Sequence, residues 1–436
     1  MNLRAMSILF ILPVLLLGCF PRPQATLPLD YPITLVNTMD PHPYTPVELP
    51  PTWTPGPTPS ITPWPDLTST RTPTPSSTPT PTQPVDIIIG EELVIKEIPD
   101  LLTSLVYVRK DAGRLNLNQL RPGSLDPRRL LLEDEDIISP LWSPDGTQLA
   151  YLRTADYGLY LEREAPADLY LYIAGIQTPL DHPEGMFITD LVWSPDSSMI
   201  AFTGQEGPGP EDINPGRNIY QLNIYSQRTT RVIESAMSPF GCSSPAWRAD
   251  SMELAARCRG GNIIVLAIAK RDGSDPWFID ILLDRVYWSP SGERLLLIGG
   301  HEQLITIDAS YLVGREDEGN RNWHALSEEL RPLGLQQKRV IGFGWCPLSD
   351  QRFLVQFEDL IQIIDLEEGR TLSILGDFSE LEGQFSWGPR GNQVAFAFQD
   401  GQDSEIGMVD FLQGRFFQLT DNQVDDLMPS WQPETR

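Results

Sequence analysis

From residue 101 to the C-terminus, apolar residues come in short runs separated by Gly, Pro, Asp and Asn. The runs are rich in β-branched and aromatic residues. A helical i, i+3, i+4, i+7 pattern is nowhere sustained, so the segment reads as consecutive strands. One set comprises 148–152 (QLAYL), 199–203 (MIAFT), 294–298 (RLLLI) and 393–398 (QVAFAF). A second set follows it: 168–174, 218–225, 262–269, 361–366 and 405–411. A third includes 370–375 and 415–420.

The first set always follows a Trp and a tight turn. The turns are Trp142-Ser143-Pro144-Asp145-Gly146, Trp193-Ser194-Pro195-Asp196, Trp247-Arg248-Ala249-Asp250 and Trp288-Ser289-Pro290-Ser291-Gly292. Three more are Trp345-Cys346-Pro347, Trp387-Gly388-Pro389-Arg390-Gly391 and Trp431-Gln432-Pro433. Successive Trp residues lie 51, 54, 41, 57, 42 and 44 positions apart. A four-stranded propeller blade takes about 40 to 45 residues, so the excess goes into loops. Ser, Pro, Asp and Gly sit in the order a type I turn prefers: Pro presets φ, Asp bonds back to the backbone, and Gly accepts the left-handed exit. The Trp ring suits packing between adjacent sheets.

This repeat resembles the TolB-type repeat, a relative of the WD repeat, over residues 101–436. The turns at Trp247-Arg248-Ala249 and Trp345-Cys346-Pro347-Leu348 depart from its consensus, and the Trp-Asp ending of WD repeats is absent. The resemblance implies an all-β, seven-bladed β-propeller of four-stranded blades. The seventh blade closes the ring. After Trp431 only Gln432 to Arg436 remain, so that blade has one strand, whereas 105–109, 114–120 and 128–133 are strands with no Trp turn ahead of them. One C-terminal strand plus three N-terminal strands complete a blade and remove two exposed sheet edges.

Residues 1–18 read as an export signal, with Arg4 followed by an apolar run too short to span a bilayer comfortably. The run ends Leu16-Leu17-Gly18-Cys19, which resembles the bacterial lipobox and implies diacylation of Cys19. Acyl chains contribute roughly 0.8 kcal/mol per buried CH₂, enough for stable anchoring when two or three are present. Residues 19–84 form a Pro/Thr-rich linker: 19 of the chain's 41 prolines fall between Pro21 and Pro84. Such a stalk is expected to be disordered or polyproline II, at about 3.1 Å per residue reaching roughly 200 Å. Residues 85–100 read as a lead-in strand or a plug, the strand being preferred. The expected placement is the cell surface: exported, and lipid-anchored to the outer face of the cytoplasmic membrane or envelope.

The net charge of −27 disfavours nucleic acid and anionic headgroups, leaving the lipid anchor as the membrane contact. Cys242 and Cys258 flank the Trp247 turn symmetrically, which places them opposite one another in a hairpin and within disulfide reach; two buried thiols are the alternative. Cys346 takes the place of the turn Ser and is expected to be buried and unreactive. His42, His182, His301 and His324 are scattered, and no nucleophile elbow, phosphate loop or His-Glu-x-x-His is present. The acidic clusters 133–136 and 316–318 lack calcium-loop spacing and are expected to be solvated. The inserts 204–216 and 311–328 are placed on a rim, where recognition loops sit.

No catalytic, cofactor or metal residue is assigned. The expected function is non-enzymatic: a monomeric recognition or scaffold module for an envelope or extracellular protein, peptide or glycan. The alternative is a propeller hydrolase or lyase with a dispersed funnel site, metal-dependent or not.

Overall fold

A computed structural model of the chain describes residues 85–89, 99 and 101–435, apart from 132, 163–164, 207–215, 235–240, 261–262, 275, 300–303, 313–330 and 333–337. The export signal, Cys19 and the Pro/Thr-rich stalk lie outside the described residues.

Residues from Leu105 onward form seven sheets around a ring. In each blade the strand that ends in the repeat Trp is innermost. These strands are Asp136–Trp142, Phe187–Trp193, Cys242–Trp247, Leu283–Trp288, Gly342–Trp345, Phe385–Trp387 and Asp426–Trp431, numbered here as blades 1 to 7. Strands within a blade follow chain order and pair antiparallel with their neighbours. Blade 7 joins Asp426–Trp431 to Leu105–Asp111, Arg114–Arg121 and Ser124–Leu131, with Leu105 opposite Trp431 and Arg109 opposite Asp426. Blade 5 has a fifth strand: Val85–Ile88 runs parallel to Arg370–Leu375 on its outer edge and buries Ile87.

The continuous apolar runs follow from packing on both faces. In blade 4, Leu295 and Leu297 enter a core shared with blade 3, while Leu296 and Ile298 enter one shared with blade 5. A one-turn helix, Tyr157–Leu161, sits in the connection after the second strand of blade 1. Asp156 caps it by accepting from the Leu159 amide at 3.1 Å. One turn is too short to leave a periodic trace in sequence.

The Trp turns are built as their residues dictate. In blade 1 the Gly146 amide donates to the Ser143 carbonyl at 2.8 Å, and Gly146 has φ +72°. The Ser143 hydroxyl donates to Asp145 Oδ1 at 2.6 Å, which also accepts from the Thr147 amide at 3.0 Å. Asp196 repeats this arrangement. Partial burial opposes its charge, but the Ser194 and Ser198 hydroxyls and the Arg271 guanidinium outweigh it and hold the carboxyl at about 2.

Consecutive turns are also bonded to each other, in two ways. Where Ser follows Trp, an amide in the turn donates to a side chain in the next blade's turn: Asp145 to Ser197 Oγ at 3.1 Å, Asp196 to Ser251 Oγ at 3.1 Å, Ser291 to Asp350 Oδ1 at 3.0 Å. Where Arg, Cys or Gln follows Trp, that side chain donates to the carbonyl of the next blade's turn glycine. Arg248 Nε reaches Gly292 O at 3.2 Å, Cys346 Sγ reaches Gly391 O at 3.6 Å, and Gln432 Nε2 reaches Gly146 O at 2.8 Å. The departures at Arg248 and Cys346 thus match the glycine that follows them in the ring.

The Trp rings pack as expected, with a polar difference. Trp193 Nε1 donates to Leu141 O at 3.0 Å and Trp387 Nε1 to Gly344 O at 3.1 Å, each in the preceding blade. The indole N–H groups of Trp142, Trp247, Trp288, Trp345 and Trp431 are buried with no partner among the described residues. Their contribution is apolar.

Candidate functional site: the axial face opposite the Trp turns

The face carrying the Trp turns is occupied by the inter-blade bonds just described. The opposite face, where the inner strands begin, carries the connection with the one-turn helix and the Cys242–Cys258 link. These two cysteines sit opposite each other in register, 4.0 Å apart at Cα, and are joined as a disulfide.

The inner strands are kinked just below this face. Ser139, Asp190, Ser244 and Met428 all stand three residues before a repeat Trp, and all have φ between +51° and +55°. Each lies at a register shift against its partner strand, a β-bulge. The bulges bring inner-strand amides onto side chains of the preceding blade. The Met428 amide donates to Gln384 Oε1 at 3.0 Å, Ser139 to Met428 Sδ at 3.3 Å, and Ser244 to Asp190 Oδ2 at 3.3 Å. Three residues further along, the Trp431 amide donates to Ser386 Oγ at 2.9 Å and the Trp142 amide to Ser430 Oγ at 3.4 Å. These contacts occupy part of an edge that would otherwise be open.

An ion pair on this face joins two non-adjacent blades. Arg285, three residues before Trp288 in blade 4, pairs with Glu382, which lies in the connection entering blade 6. Tyr287 stands two residues further along the same strand. Burial works against the Arg285 charge, yet Tyr287, Glu382 and Asp190 of blade 2 together raise its pKa. Burial pushes the Tyr287 hydroxyl up, and the same two carboxylates add to that. Asp190 itself accepts from Thr203 Oγ1 at 2.8 Å and Thr189 Oγ1 at 3.3 Å. Beside blade 4, Arg257 Nε donates to Leu283 O at 3.0 Å, and burial lowers its pKa.

A second polar group lies at the ring closure. Arg109 Nε and Nη2 each reach a different oxygen of Asp426 at 2.7 Å, and Asp426 is fully buried. Asn422 Nδ2 bridges Asp426 Oδ2 at 2.8 Å and Glu405 Oε2 at 3.2 Å, while its amide donates to Glu405 Oε1 at 2.6 Å. Burial, with Asp426 and Asp403 nearby, pushes the Glu405 carboxyl up to about 7. The Tyr107 hydroxyl beside it is buried without a partner, and burial raises its pKa.

The residues singled out in the sequence fall elsewhere. Asp145, Gly146 and the seven Trp belong to the turn face and its packing. Cys346 is buried, and burial raises its pKa. His182 accepts from the Leu169 amide at 3.2 Å; His42, His301 and His324 lie outside the described residues. In the acidic cluster 133–136, Glu135 and Glu133 pair with Arg153 at 2.6 and 3.7 Å, and Asp136 accepts from the amides of Leu115 and Tyr157. It is a bonded connection rather than a solvated run. The cluster 316–318 lies outside the described residues, and among those described no group of three His, Cys, Asp or Glu side chains could hold a metal ion.

The strand ends that bracket the two inserts lie on opposite faces of the ring. Gln205 and Asn218, which bracket the first, end strands on the face where inner strands begin. Asp308 and Arg331, which bracket the second, end strands on the Trp-turn face. Strand counting settles this: the first insert follows the second strand of its blade, the other follows the third.

Arg285, Tyr287, Asp190 and Glu382 were not foreseen. For Arg285 and Asp190 the signal available was positional: a charge three residues before the repeat Trp.

The chain is a seven-bladed β-propeller with a TolB-like fold, all-β and closed by a shared blade. No family model matches it. It is 44% identical over 50 residues to the Tol-Pal system protein TolB of Methylobacillus flagellatus, a match spanning 12% of this chain and 12% of that one. The structure resembles TolB from Acinetobacter baumannii at 15% identity and a TM-score of 0.46, covering 77% of this chain and 68% of that chain. A prolyl endopeptidase structure is similar at 12% identity and a TM-score of 0.51, covering 76% of this chain and 49% of that one. No helix among the described residues is long and apolar enough to cross a membrane.

Proposed function

We propose that the chain is a non-enzymatic recognition module, held outside the cytoplasm by a lipid on Cys19, that grips a segment of a protein partner at the axial face opposite the Trp turns. One observation carries this reading: Arg285 on the inner strand of blade 4 forms an ion pair with Glu382 from the connection entering blade 6, across the intervening blade 5. Charged groups held on rigid strands around a common centre suit recognition of one segment.

A propeller hydrolase or lyase is the second reading. It draws on Glu405, a buried carboxyl titrating near neutrality as a general acid does. Its oxygens, however, are engaged by Asn422 at the blade 6 and 7 junction.

Cross-linking capture from envelope extract tests the two together, using the full chain and its Arg285→Gln variant. A partner held by the parent chain and lost from the variant supports recognition. Capture unaffected by the variant, or turnover in a hydrolase and lyase panel without any partner, overturns it.

A further inference from the structure

The two halves of the axial ion pair are held very differently. Arg285 stands on an inner strand whose neighbours Val286 and Trp288 are buried. The Tyr287 ring packs on Phe343 of blade 5, with centroids 5.2 Å apart, so the strand is braced. Glu382 is on a connection, its side chain is 50% exposed, and Gly383 beside it has φ +69°. Arg285 is its bonded partner. The fixed member is therefore the cation, and the displaceable member is the carboxylate.

The inner strand of blade 5, which lies between the two, is bare at the crossing. Gly342 and Gly344 occupy it, because a Cβ on either would come within 2.9 and 2.5 Å of the Phe385 ring. The space beside these glycines is filled by the Phe385 ring of blade 6 and, at Gly342, by Gln356, so this strand offers no side chain there to compete for Arg285. A guanidinium offers a planar fork of donors matched to a carboxylate, and Tyr287 adds a hydroxyl beside it.

From this asymmetry we infer that Glu382 stands in for a ligand carboxylate. Arg285 is the receptor, and the axial site takes a carboxylate-bearing segment of a partner protein that displaces Glu382. This rests on the recognition reading above and assigns its chemistry. The net charge of −27 works against any anionic ligand. Preference for a carboxylate must therefore come from short-range contact at Arg285, not from the general field.

The probe is acetyl-triglutamate, with acetyl-triglutamine as its uncharged control, titrated into the full chain labelled with ¹⁵N-arginine and read at the Arg Nε–H signals. Triglutamate is expected to shift the Arg285 signal saturably and triglutamine to leave it in place. Glu382→Gln removes the internal competitor. An exposed ion pair of this kind is worth little, so affinity should rise about two- to fivefold. Arg285→Gln should lower it by about tenfold or more. Arg285→Lys keeps the charge without the fork and should fall between them, with unchanged unfolding midpoints showing that each variant is folded. Equal response to the two peptides, no gain from Glu382→Gln, or retained binding in Arg285→Gln would each overturn the assignment. If these fail while capture of a partner still depends on Arg285, recognition stands and the carboxylate chemistry does not.

Discussion

Replacing Glu405 by Gln should remove a pH dependence of stability that the fold builds into its closing junction. In the native state the carboxyl is buried, with Asp426 and Asp403 adding negative charge nearby, and its pKa is pushed from the ordinary 4.5 to about 7. A carboxyl whose pKa is raised on folding favours the native state fully below its unfolded value. That contribution is lost as pH rises through the folded value, because the buried group must then ionise. The window is therefore between about pH 4.5 and pH 7, and the native state is weaker on the alkaline side. At about 1.4 kcal/mol per pH unit, the span corresponds to about 3 kcal/mol, an upper figure because water reaching the group screens it. Gln fills nearly the same volume and stays neutral. Urea unfolding of the full chain and its Glu405→Gln variant, followed by tryptophan fluorescence at pH 5, 6, 7 and 8, gives the difference directly. The variant should gain on the parent by about 1 to 3 kcal/mol between pH 5 and 8. A difference that stays flat across that range, or a parent that gains on the variant, would refute the reasoning.

Two further predictions concern closure and cross-linking. Asp426→Ala leaves Arg109 without its bidentate partner in the closing register and should cost about 3 to 5 kcal/mol in urea unfolding, while pairing it with Arg109→Met should recover much of that loss. Cys242 and Cys258 close a loop of sequence separation 16, so their removal should cost about 3 kcal/mol. Intact mass after alkylation without reductant should show neither thiol modified, and two alkylated thiols there would contradict the disulfide.

Much of the ring was legible because its determinants are local. Trp142-Ser143-Pro144-Asp145-Gly146 specifies its own turn, and runs such as 294–298 advertise burial on both faces. Blade closure was readable from a shortage: one strand, ending at Trp431, in the last blade, and three unclaimed strands before Asp136. The axial site was hidden for the opposite reason. Arg285 and Glu382 are 97 positions apart. Nothing in either segment marks its partner, since their meeting depends on two blades lying on either side of a third. The bulges did leave a trace that went unread. Pro140, Pro245 and Pro429 each stand two residues before a repeat Trp. Proline cannot donate to a ladder, so it belongs at a bulge or on an edge.

The inter-blade bonds of the Trp turns bear on function through what they exclude. A seven-fold repeat of near-identical blades offers many wrong registers, and local turn chemistry alone would not select among them. The pairing rule supplies part of that selection. A long or polarisable side chain after Trp precedes a glycine in the next turn, as with Arg248 and Gly292, Cys346 and Gly391, and Gln432 and Gly146. A serine there precedes a side-chain acceptor, as with Ser143 and Ser197, Ser194 and Ser251, and Ser289 and Asp350. The last member of the first group links the C-terminal blade to blade 1, so the rule helps close the ring as well as order it. Polar groups so engaged on one face are unavailable to a partner without loss of structure. The other face keeps the Arg285–Glu382 pair on supports that do not depend on those bonds, so substitution at either residue is expected to leave the turn belt holding the blades in order and to test the proposed recognition separately from the fold.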